Sequence, residues 1–435
     1  MRLRHNVPLL VPFQLDVPTP LGKLRAARAC YGAHGRQLRI VGTVLALILL
    51  GLLVLLLPEA SGRSVRVGAR GKARDQVADP PRRRSTRAVK KRSARPVKAT
   101  VKGGKRHKKR ARRYRPIWTE SSFADSAAGD ILNGEDLIVR ESALFALGPL
   151  NGSVVVVDPH SGRLLSIVNQ KLALSGGEQP CSTIKLPVAL AALNEGLITR
   201  ETQVKVSRRW TLNLTEALAH SNNPFFEVLG RKMGFEKLSE YASRFGLGEP
   251  AGYNIPGEQP GYFPPAPARE GGVSKMSSFG KEIFVTPLQL AAFVSAVANG
   301  GKLYYLQYLR TPEEILNFQP RVKRSLDVDH LLPDLREGMM AAVDHGTGRR
   351  AAQPYDAVFG KTGTCDHDGA HLGWFASYEG RTEPRLAVVV LLRGGRLSGG
   401  GEAADVAGRV YRNLHERNYY ASLRAGQAVR AGTAR

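Results

Sequence analysis

The spacing of apolar and polar positions predicts β-strands in two groups along the chain. Residues 153–157 and 164–168 are β-rich runs that flank the turn sequence Asp-Pro-His-Ser-Gly at 158–162, a pattern typical of a β-hairpin. Three further strand-like runs follow late in the chain: 357–364, 373–378 and 385–393. Together the two groups predict one antiparallel sheet.

Helical periodicity fills the interval between these groups and flanks them. Residues 135–148 carry apolar side chains at helical spacing and end on glycine. A long, mainly helical stretch runs from about 182 to 345, and a last helix covers 402–416. This order predicts an α/β (α+β) domain in which an antiparallel sheet is flanked by helices and carries a helical lobe.

A separate apolar run precedes the folded region. Residues 40–57 are 18 uncharged, almost wholly apolar residues. As a helix with a rise of about 1.5 Å per residue they would span roughly 27 Å, close to the thickness of a bilayer core. A cleaved signal peptide is the alternative, but the run begins late and Pro58-Glu59-Ala60 is a poor cleavage site. We therefore expect a single transmembrane helix.

The formal net charge of +27 is confined to two segments of the 435-residue chain. Residues 1–39 carry a net charge of +6 and residues 63–115 carry +21, so the remainder is neutral. A block of like charges cannot bury apolar surface and should be extended and disordered. It is expected to be a spacer that makes loose contacts with anionic lipid or anionic polymers. No aromatic interleaving or known module accompanies it, which argues against specific nucleic-acid binding.

These patterns divide the chain into five segments. They are a basic tail (1–39), a transmembrane helix (40–57), a disordered basic linker (58–116), one folded domain (117–420) and a C-terminal tail (421–435).

Three short motifs that carry chemistry occur inside the folded domain in a fixed order. They are S-x-x-K at 182–185, S-x-N at 221–223 and K-T-G-T at 361–364. Each motif alone is weak, because Ser182 could be a plain helix cap and S-N-N is usually a turn. Their joint occurrence is specific, because each lies where its chemistry requires it.

The spacing explains what the first and third motifs could do. Ser182 opens an apolar helix and Lys185 lies one turn further along the same face, within reach of the hydroxyl. A lysine can deprotonate a serine only if burial or nearby cations lower its pKa. The K-T-G-T segment lies on a predicted strand, whose edge can pair with an extended peptide while Gly363 permits close approach.

The motif set resembles that of penicillin-binding protein transpeptidase domains and the related serine β-lactamases. The resemblance extends to GSVVVVDPHSGRLLSIV, NIPGEQPGYFP, VTPLQLAAFVSAVANGG and HGTG, and it covers roughly residues 135–415. It implies the family fold, an antiparallel sheet flanked by helices with a helical lobe. It also implies that Ser182 is acylated, with Lys185 as its base and Ser221 as the relay of a proton to the leaving D-alanine.

The same resemblance implies how the substrate is held. The amide of the substrate would be bound by Asn223, and its carboxylate by three residues of the third motif: Lys361, Thr362 and Thr364. The main-chain N–H groups of Ser182 and Thr364 would form the oxyanion hole.

Two of the three cysteines flank these motifs. Cys181 precedes the nucleophile and Cys365 follows K-T-G-T, whereas Cys30 lies in the N-terminal tail. In some class A serine carbapenemases the corresponding two positions are joined by a disulfide across the active site. By that resemblance we expect Cys181 and Cys365 to be bridged, which an oxidising compartment permits. The alternative is two small buried apolar residues.

The resemblance implies a membrane-anchored serine D,D-transpeptidase that cross-links peptidoglycan stem peptides and is inhibited by β-lactams. The basic linker would then contact anionic lipid or wall polymers, and a cell-wall glycan polymerase is a candidate partner. We expect an inner (plasma) membrane location with the N-terminus cytoplasmic and the catalytic domain extracytoplasmic or periplasmic. A D,D-carboxypeptidase or endopeptidase, a β-lactamase and a non-catalytic penicillin-binding sensor or scaffold remain open. No zinc-ligand spacing or nucleotide motif is present, so no metal and no cofactor are expected.

Overall fold

The computed structural model describes residues 118–383 and 385–422. The predicted basic tail (1–39), the transmembrane helix (40–57), the linker (58–116) and most of the C-terminal tail (421–435) lie outside these residues. Within the described residues, no helix is both long and apolar enough to cross a membrane.

The secondary structure follows the predicted order of strands, helical insertion, strands and helix. The α-helices are α1 (Leu137–Leu147), α2 (Gln170–Ala173), α3 (Lys185–Asn194), α4 (Leu214–Ala219), α5 (Asn223–Arg244), α6 (Gly272–Phe279), α7 (Pro287–Ala298), α8 (Pro312–Leu316), α9 (Leu332–Asp344) and α10 (Gly400–Glu416). The strands are β1 (Gly152–Val157), β2 (Leu164–Val168), β3 (Val204–Lys205), β4 (Thr211–Leu212), β5 (Lys302–Tyr304), β6 (Val322–Ser325), β7 (Val358–His367), β8 (Ala370–Glu379) and β9 (Leu386–Gly394). Single 3₁₀ turns occupy Cys181–Ile184, Asp329–Leu331 and Arg349–Ala351.

The main sheet has five antiparallel strands in the order β2-β1-β9-β8-β7. The strands from the beginning and the end of the domain therefore meet at its centre, where β1 pairs with β9. This confirms the predicted antiparallel sheet. It also leaves β7, which carries the K-T-G-T motif, as one edge of the sheet.

Both faces of the sheet are covered, and the central strands β1 and β9 are buried at almost every position. Along β9, Val389 and Leu391 face the larger core, which contains α3, α5 and α7, whereas Val388 and Val390 face a second core built with α1 and α10. All four side chains are fully buried. Strands buried on both faces read as continuous hydrophobic runs, which is why β1 and β9 lack alternation.

The ends of the helices follow local sequence signals. Asp136 caps α1 by accepting hydrogen bonds from the N–H groups of Ile138 and Val139, and Gly148 ends the helix at a φ of 58°. Thr286 and Gln289 form a capping box at the start of α7. The predicted helix at 135–148 is thus confirmed to within two residues of each end.

Candidate active site

Ser182, the predicted nucleophile, lies in a tight turn (Cys181–Ile184, hereafter the nucleophile turn) and not in the helix that follows it. Ser182 belongs to the 3₁₀ turn Cys181–Ile184, and α3 begins only at Lys185. The prediction that Ser182 opens an α-helix is therefore wrong by one turn. The cause is local: both the N–H and the hydroxyl of Thr183 donate to the oxygen of Pro180, at 3.1 and 2.6 Å. That i to i+3 bond is the one that defines a 3₁₀ turn.

The amine of Lys185 is the centre of the site. Its Nζ lies 2.9 Å from Ser182 Oγ, 2.7 Å from the main-chain oxygen of Ser221, 3.0 Å from Ser221 Oγ and 2.5 Å from Asn223 Oδ1. The S-x-x-K and S-x-N motifs are thus brought together at one nitrogen. The side chain of Lys185 is fully buried, so these four oxygens are its polar surroundings.

The environment favours the neutral form of this amine. Burial, followed by the positive charge of Lys361, lowers the pKa of Lys185 to about 6. A neutral amine has two N–H donors and one lone pair. The main-chain oxygen of Ser221 and Oδ1 of Asn223 can only accept hydrogen bonds, so they can take the two N–H groups. The lone pair then remains for a serine hydroxyl. The geometry therefore suits a base that removes the proton of Ser182.

The S-x-N segment is the connection between α4 and α5. The main chain of Ser221 is left-handed, with a φ of 54°, and this turn points both its carbonyl and its hydroxyl at the lysine. Asn222 contributes differently, because its Oδ1 accepts from the N–H of Phe225 and caps α5. The middle residue of the motif therefore holds the helix that presents Asn223.

The K-T-G-T strand packs directly against the nucleophile turn. A Cβ at Gly363 would lie 2.8 Å from the oxygen of Pro180 and 3.2 Å from Cγ2 of Thr183. Real Cβ atoms do not approach main-chain oxygens that closely, so the strand could not reach the turn with any other residue here. Besides the close approach of a substrate expected from the sequence, Gly363 thus allows the close approach of the nucleophile turn.

A second buried lysine stands at the start of this motif. Lys361 is fully buried, and its Nζ donates to the main-chain oxygen of Thr362 at 3.0 Å. Burial lowers the pKa of Lys361 to about 7. The two lysines are close enough for the charge of Lys361 to lower the pKa of Lys185.

The hydroxyls of the motif have partners that the sequence did not reveal. Thr362 Oγ1 lies 2.6 Å from Thr347 Oγ1, and Thr364 Oγ1 accepts a hydrogen bond from the N–H of Gly400 at 2.9 Å. Thr347 belongs to the H-G-T-G segment that carried part of the family resemblance. The signal that could have found Gly400 is the run of three glycines at 399–401, although such a run alone does not name its partner.

The space around position 400 requires a glycine. A Cβ there would lie 2.6 Å from the oxygen of Gly363 and 2.7 Å from Thr364 Oγ1. Gly400 is also the first residue of the long helix α10, so the positive end of that helix points at the motif.

A disulfide joins the two halves of the site. Cys181 and Cys365 are bonded, with their Cα atoms 5.6 Å apart, as the resemblance to the carbapenemases implied. Near it, the indole N–H of Trp374 donates to the oxygen of Gln179 at 2.9 Å. The nucleophile turn is therefore fixed to the edge of the sheet by covalent, polar and steric contacts. Ser182 and Thr364, whose N–H groups were expected to form the oxyanion hole, lie on the two tethered elements.

The matches of this chain to known proteins agree with the site. The model of the penicillin binding protein transpeptidase domain matches residues 152–415. Over 310 residues the chain is 29% identical to stage V sporulation protein D of Bacillus subtilis (strain 168), a match that covers 62% of this chain and 48% of that protein. It is 27% identical over 304 residues to peptidoglycan D,D-transpeptidase FtsI of Escherichia coli (strain K12), covering 60% and 50%. The chain thus matches about half the length of these relatives.

Solved structures show the same fold. The apo TP domain of Burkholderia pseudomallei penicillin-binding protein 3 superposes with a TM-score of 0.57 at 22% identity, over 66% of this chain and 96% of that one. Pseudomonas aeruginosa PBP2 in complex with WCK 5153 gives a TM-score of 0.57 at 23% identity, over 65% and 75%. The predicted α/β architecture with an antiparallel sheet and flanking helices is confirmed by these neighbours.

Proposed function

The chain belongs to the penicillin binding protein transpeptidase family, and on that premise we propose that it is a serine D,D-transpeptidase that cross-links peptidoglycan stem peptides. The observation that carries the proposal is the 2.9 Å contact between Lys185 Nζ and Ser182 Oγ. It pairs a nucleophile with a base whose pKa is lowered to about 6, so the base is largely neutral near neutral pH.

In the first half-reaction the neutral Lys185 takes the proton of Ser182. The freed Oγ attacks the carbonyl carbon between the two D-alanines, and the developing negative charge is stabilised by the main-chain N–H groups of Ser182 and Thr364. The C–N bond then breaks. The leaving nitrogen of D-alanine receives the proton through Ser221, whose Oγ lies 3.0 Å from the amine. The product is an ester between Ser182 and the donor peptide.

In the second half-reaction an amine of a neighbouring stem peptide attacks the ester carbonyl. The amine loses a proton to Lys185, the new amide bond forms, the ester C–O bond breaks, and Lys185 returns the proton to Ser182 Oγ. A β-lactam would enter by the same first step, since its strained amide is opened by the same hydroxyl. Its leaving nitrogen stays attached, which would block the second step and explain inhibition.

Substrate binding would use the groups on the K-T-G-T strand. The charge of Lys361 and the hydroxyls of Thr362 and Thr364 can hold the terminal carboxylate of the donor. Thr364 supports this role because its oxygen accepts from Gly400, which leaves its own O–H free to donate. Asn223 can bind the peptide amide through its side-chain nitrogen, because its oxygen faces Lys185.

We also propose that residues 40–57 anchor the enzyme in the plasma membrane with the N-terminus in the cytoplasm. The disulfide between Cys181 and Cys365 supports a catalytic domain on the extracytoplasmic side of the membrane, where disulfides persist. The basic linker (58–116) would then meet anionic lipid or wall polymers, and a glycan polymerase would supply the strands to be cross-linked.

The nucleophile is tested by mass spectrometry of the full-length chain with a β-lactam, followed over hours, with Ser182→Ala as the control. We expect a stable one-to-one adduct on Ser182. A transient adduct with hydrolysis of the drug would indicate a β-lactamase. No adduct on folded protein would refute the acyl-enzyme and leave a scaffold.

Transfer is tested separately with a peptide that ends in D-alanyl-D-alanine and a D-amino acid as acceptor. Incorporation of the acceptor amine is expected, and it should be lost in Ser182→Ala. Release of D-alanine with water as the only acceptor would make the protein a carboxypeptidase.

A further inference from the structure

A cluster of one carboxylate and two imidazoles lies beside the active site. Glu216 is on α4, His220 is the residue that ends this helix, and His345 ends α9. One carboxylate oxygen and one ring nitrogen from each histidine all lie within 4.8 Å of one another. In the part of the chain that the structure describes, this is the one group of three such side chains with its donor atoms so close.

The geometry within the cluster is close to that of a metal site. His220 Nε2 lies 3.2 Å from one carboxylate oxygen of Glu216, and His345 Nε2 lies 3.7 Å from the other. Ligands of a tetrahedral zinc ion with bonds of about 2.0–2.1 Å are roughly 3.3 Å apart. The side chains are 43–57% exposed, so small rotations can close the set around an ion.

The chemistry of the donors selects the kind of ion. Imidazole nitrogen favours Zn²⁺ and its first-row neighbours, whereas Mg²⁺ and Ca²⁺ prefer oxygen ligands. We propose that Glu216, His220 and His345 bind a divalent transition-metal ion of the Zn²⁺ type, with water in the remaining coordination position. This site is separate from the serine chemistry and uses none of its residues.

The position of the cluster gives the ion a structural consequence. α4 leads from His220 directly into Ser221, and α9 leads from His345 into Thr347. The two loops already touch, because the N–H of Thr347 donates to the oxygen of Ala219 at 3.0 Å. A bound ion would therefore join the S-x-N segment to the H-G-T-G segment and hold this contact.

The test uses the full-length chain in mild detergent, freed of metal with a chelator and dialysed. Zn²⁺ is titrated by calorimetry, Co²⁺ by visible absorption, and melting is followed with and without Zn²⁺. At a Zn²⁺ concentration of about one hundred times the dissociation constant, the melting temperature should rise by roughly 5 °C. Mg²⁺ should produce no shift.

Two variants remove one ligand each, Glu216→Gln and His345→Gln. Because loss of an outer-shell partner alone weakens metal sites by about 10–100-fold, each variant should weaken Zn²⁺ binding at least tenfold. The matched control is His330→Gln, another exposed histidine beside a carboxylate (Asp329), which lacks a third ligand. It should bind as the wild type does.

Equal binding in the wild type and both ligand variants would overturn the proposal, as would the absence of any Zn²⁺-dependent shift in the wild type. Ser182→Ala should bind Zn²⁺ normally. A failure of the acylation experiment would therefore leave this result unaffected, and the reverse also holds.

Discussion

The rate at which Ser182 is acylated should depend on pH through the two buried lysines. Only neutral Lys185 can accept the serine proton, and its pKa is lowered to about 6 by burial and by the charge of Lys361. The neutral fraction then rises from about one tenth at pH 5 to about nine tenths at pH 7. Taken alone, the titration of Lys185 would raise the second-order rate constant of acylation about tenfold over that interval; with the loss of charge on Lys361 included, the expected net rise is about fivefold.

The opposite dependence should appear at higher pH. Burial lowers the pKa of Lys361 to about 7, so its positive charge is lost as the pH rises further. A β-lactam that carries a carboxylate should then react more slowly, by roughly tenfold for each further pH unit. The profile should be bell-shaped, with its maximum between the pKa values of the two lysines.

The assay measures labelling of the full-length chain by a fluorescent penicillin from pH 5 to 9 at constant ionic strength, with circular dichroism at each pH. Lys361→Met provides a second check. Without that positive charge the pKa of Lys185 should rise, so the acid limb should move to higher pH while the alkaline limb disappears. A flat profile between pH 5 and 7 on folded protein would refute Lys185 as the base.

Two further predictions concern the contacts around the nucleophile. Gly400→Ala places a Cβ 2.6 Å from a main-chain oxygen of the K-T-G-T strand and should slow acylation by about tenfold or more. The control is Gly401→Ala, whose Cβ would be 3.7 Å from its nearest neighbour and which should react normally in the same assay. Cys365→Ser opens the bond to Cys181, which closes a sequence separation of 184 residues, and should lower the free energy of unfolding in urea by up to about 5 kcal/mol. Cys30→Ser should leave it unchanged.

Local patterns predicted most of the fold because they act over a few residues. The hairpin turn at 158–162 and the capped helix α1 depend on neighbours in sequence, and both were predicted within two residues. The 3₁₀ turn at Cys181–Ile184 was not, because it depends on hydrogen bonds to Pro180 that no periodicity encodes.

The site residues that belong to short motifs could be predicted from the sequence. The contacts between segments that are distant in the sequence could not. The pairing of Ser182 with Lys185 follows from helical spacing, but the contact of Lys185 with Ser221 could be expected only from the resemblance. The role of Gly400 was not predicted, because it comes from the packing of the start of α10 against the K-T-G-T strand. The expectation of no metal rested on ligand spacing, and spacing is uninformative when His345 comes from a different helix than Glu216.

The position of β7 at the edge of the sheet has a consequence for the solubility of the protein. A strand edge presents unpaired N–H and C=O groups, which attract any extended chain, including those of other copies. In the proposed reaction this edge binds the substrate, so it cannot simply be covered. The disulfide and the nucleophile turn pack against a face of β7 and hold the strand in place. A reduced or turn-disrupted protein should therefore be lost to self-association before it unfolds, and a bound ligand should protect it by occupying the edge.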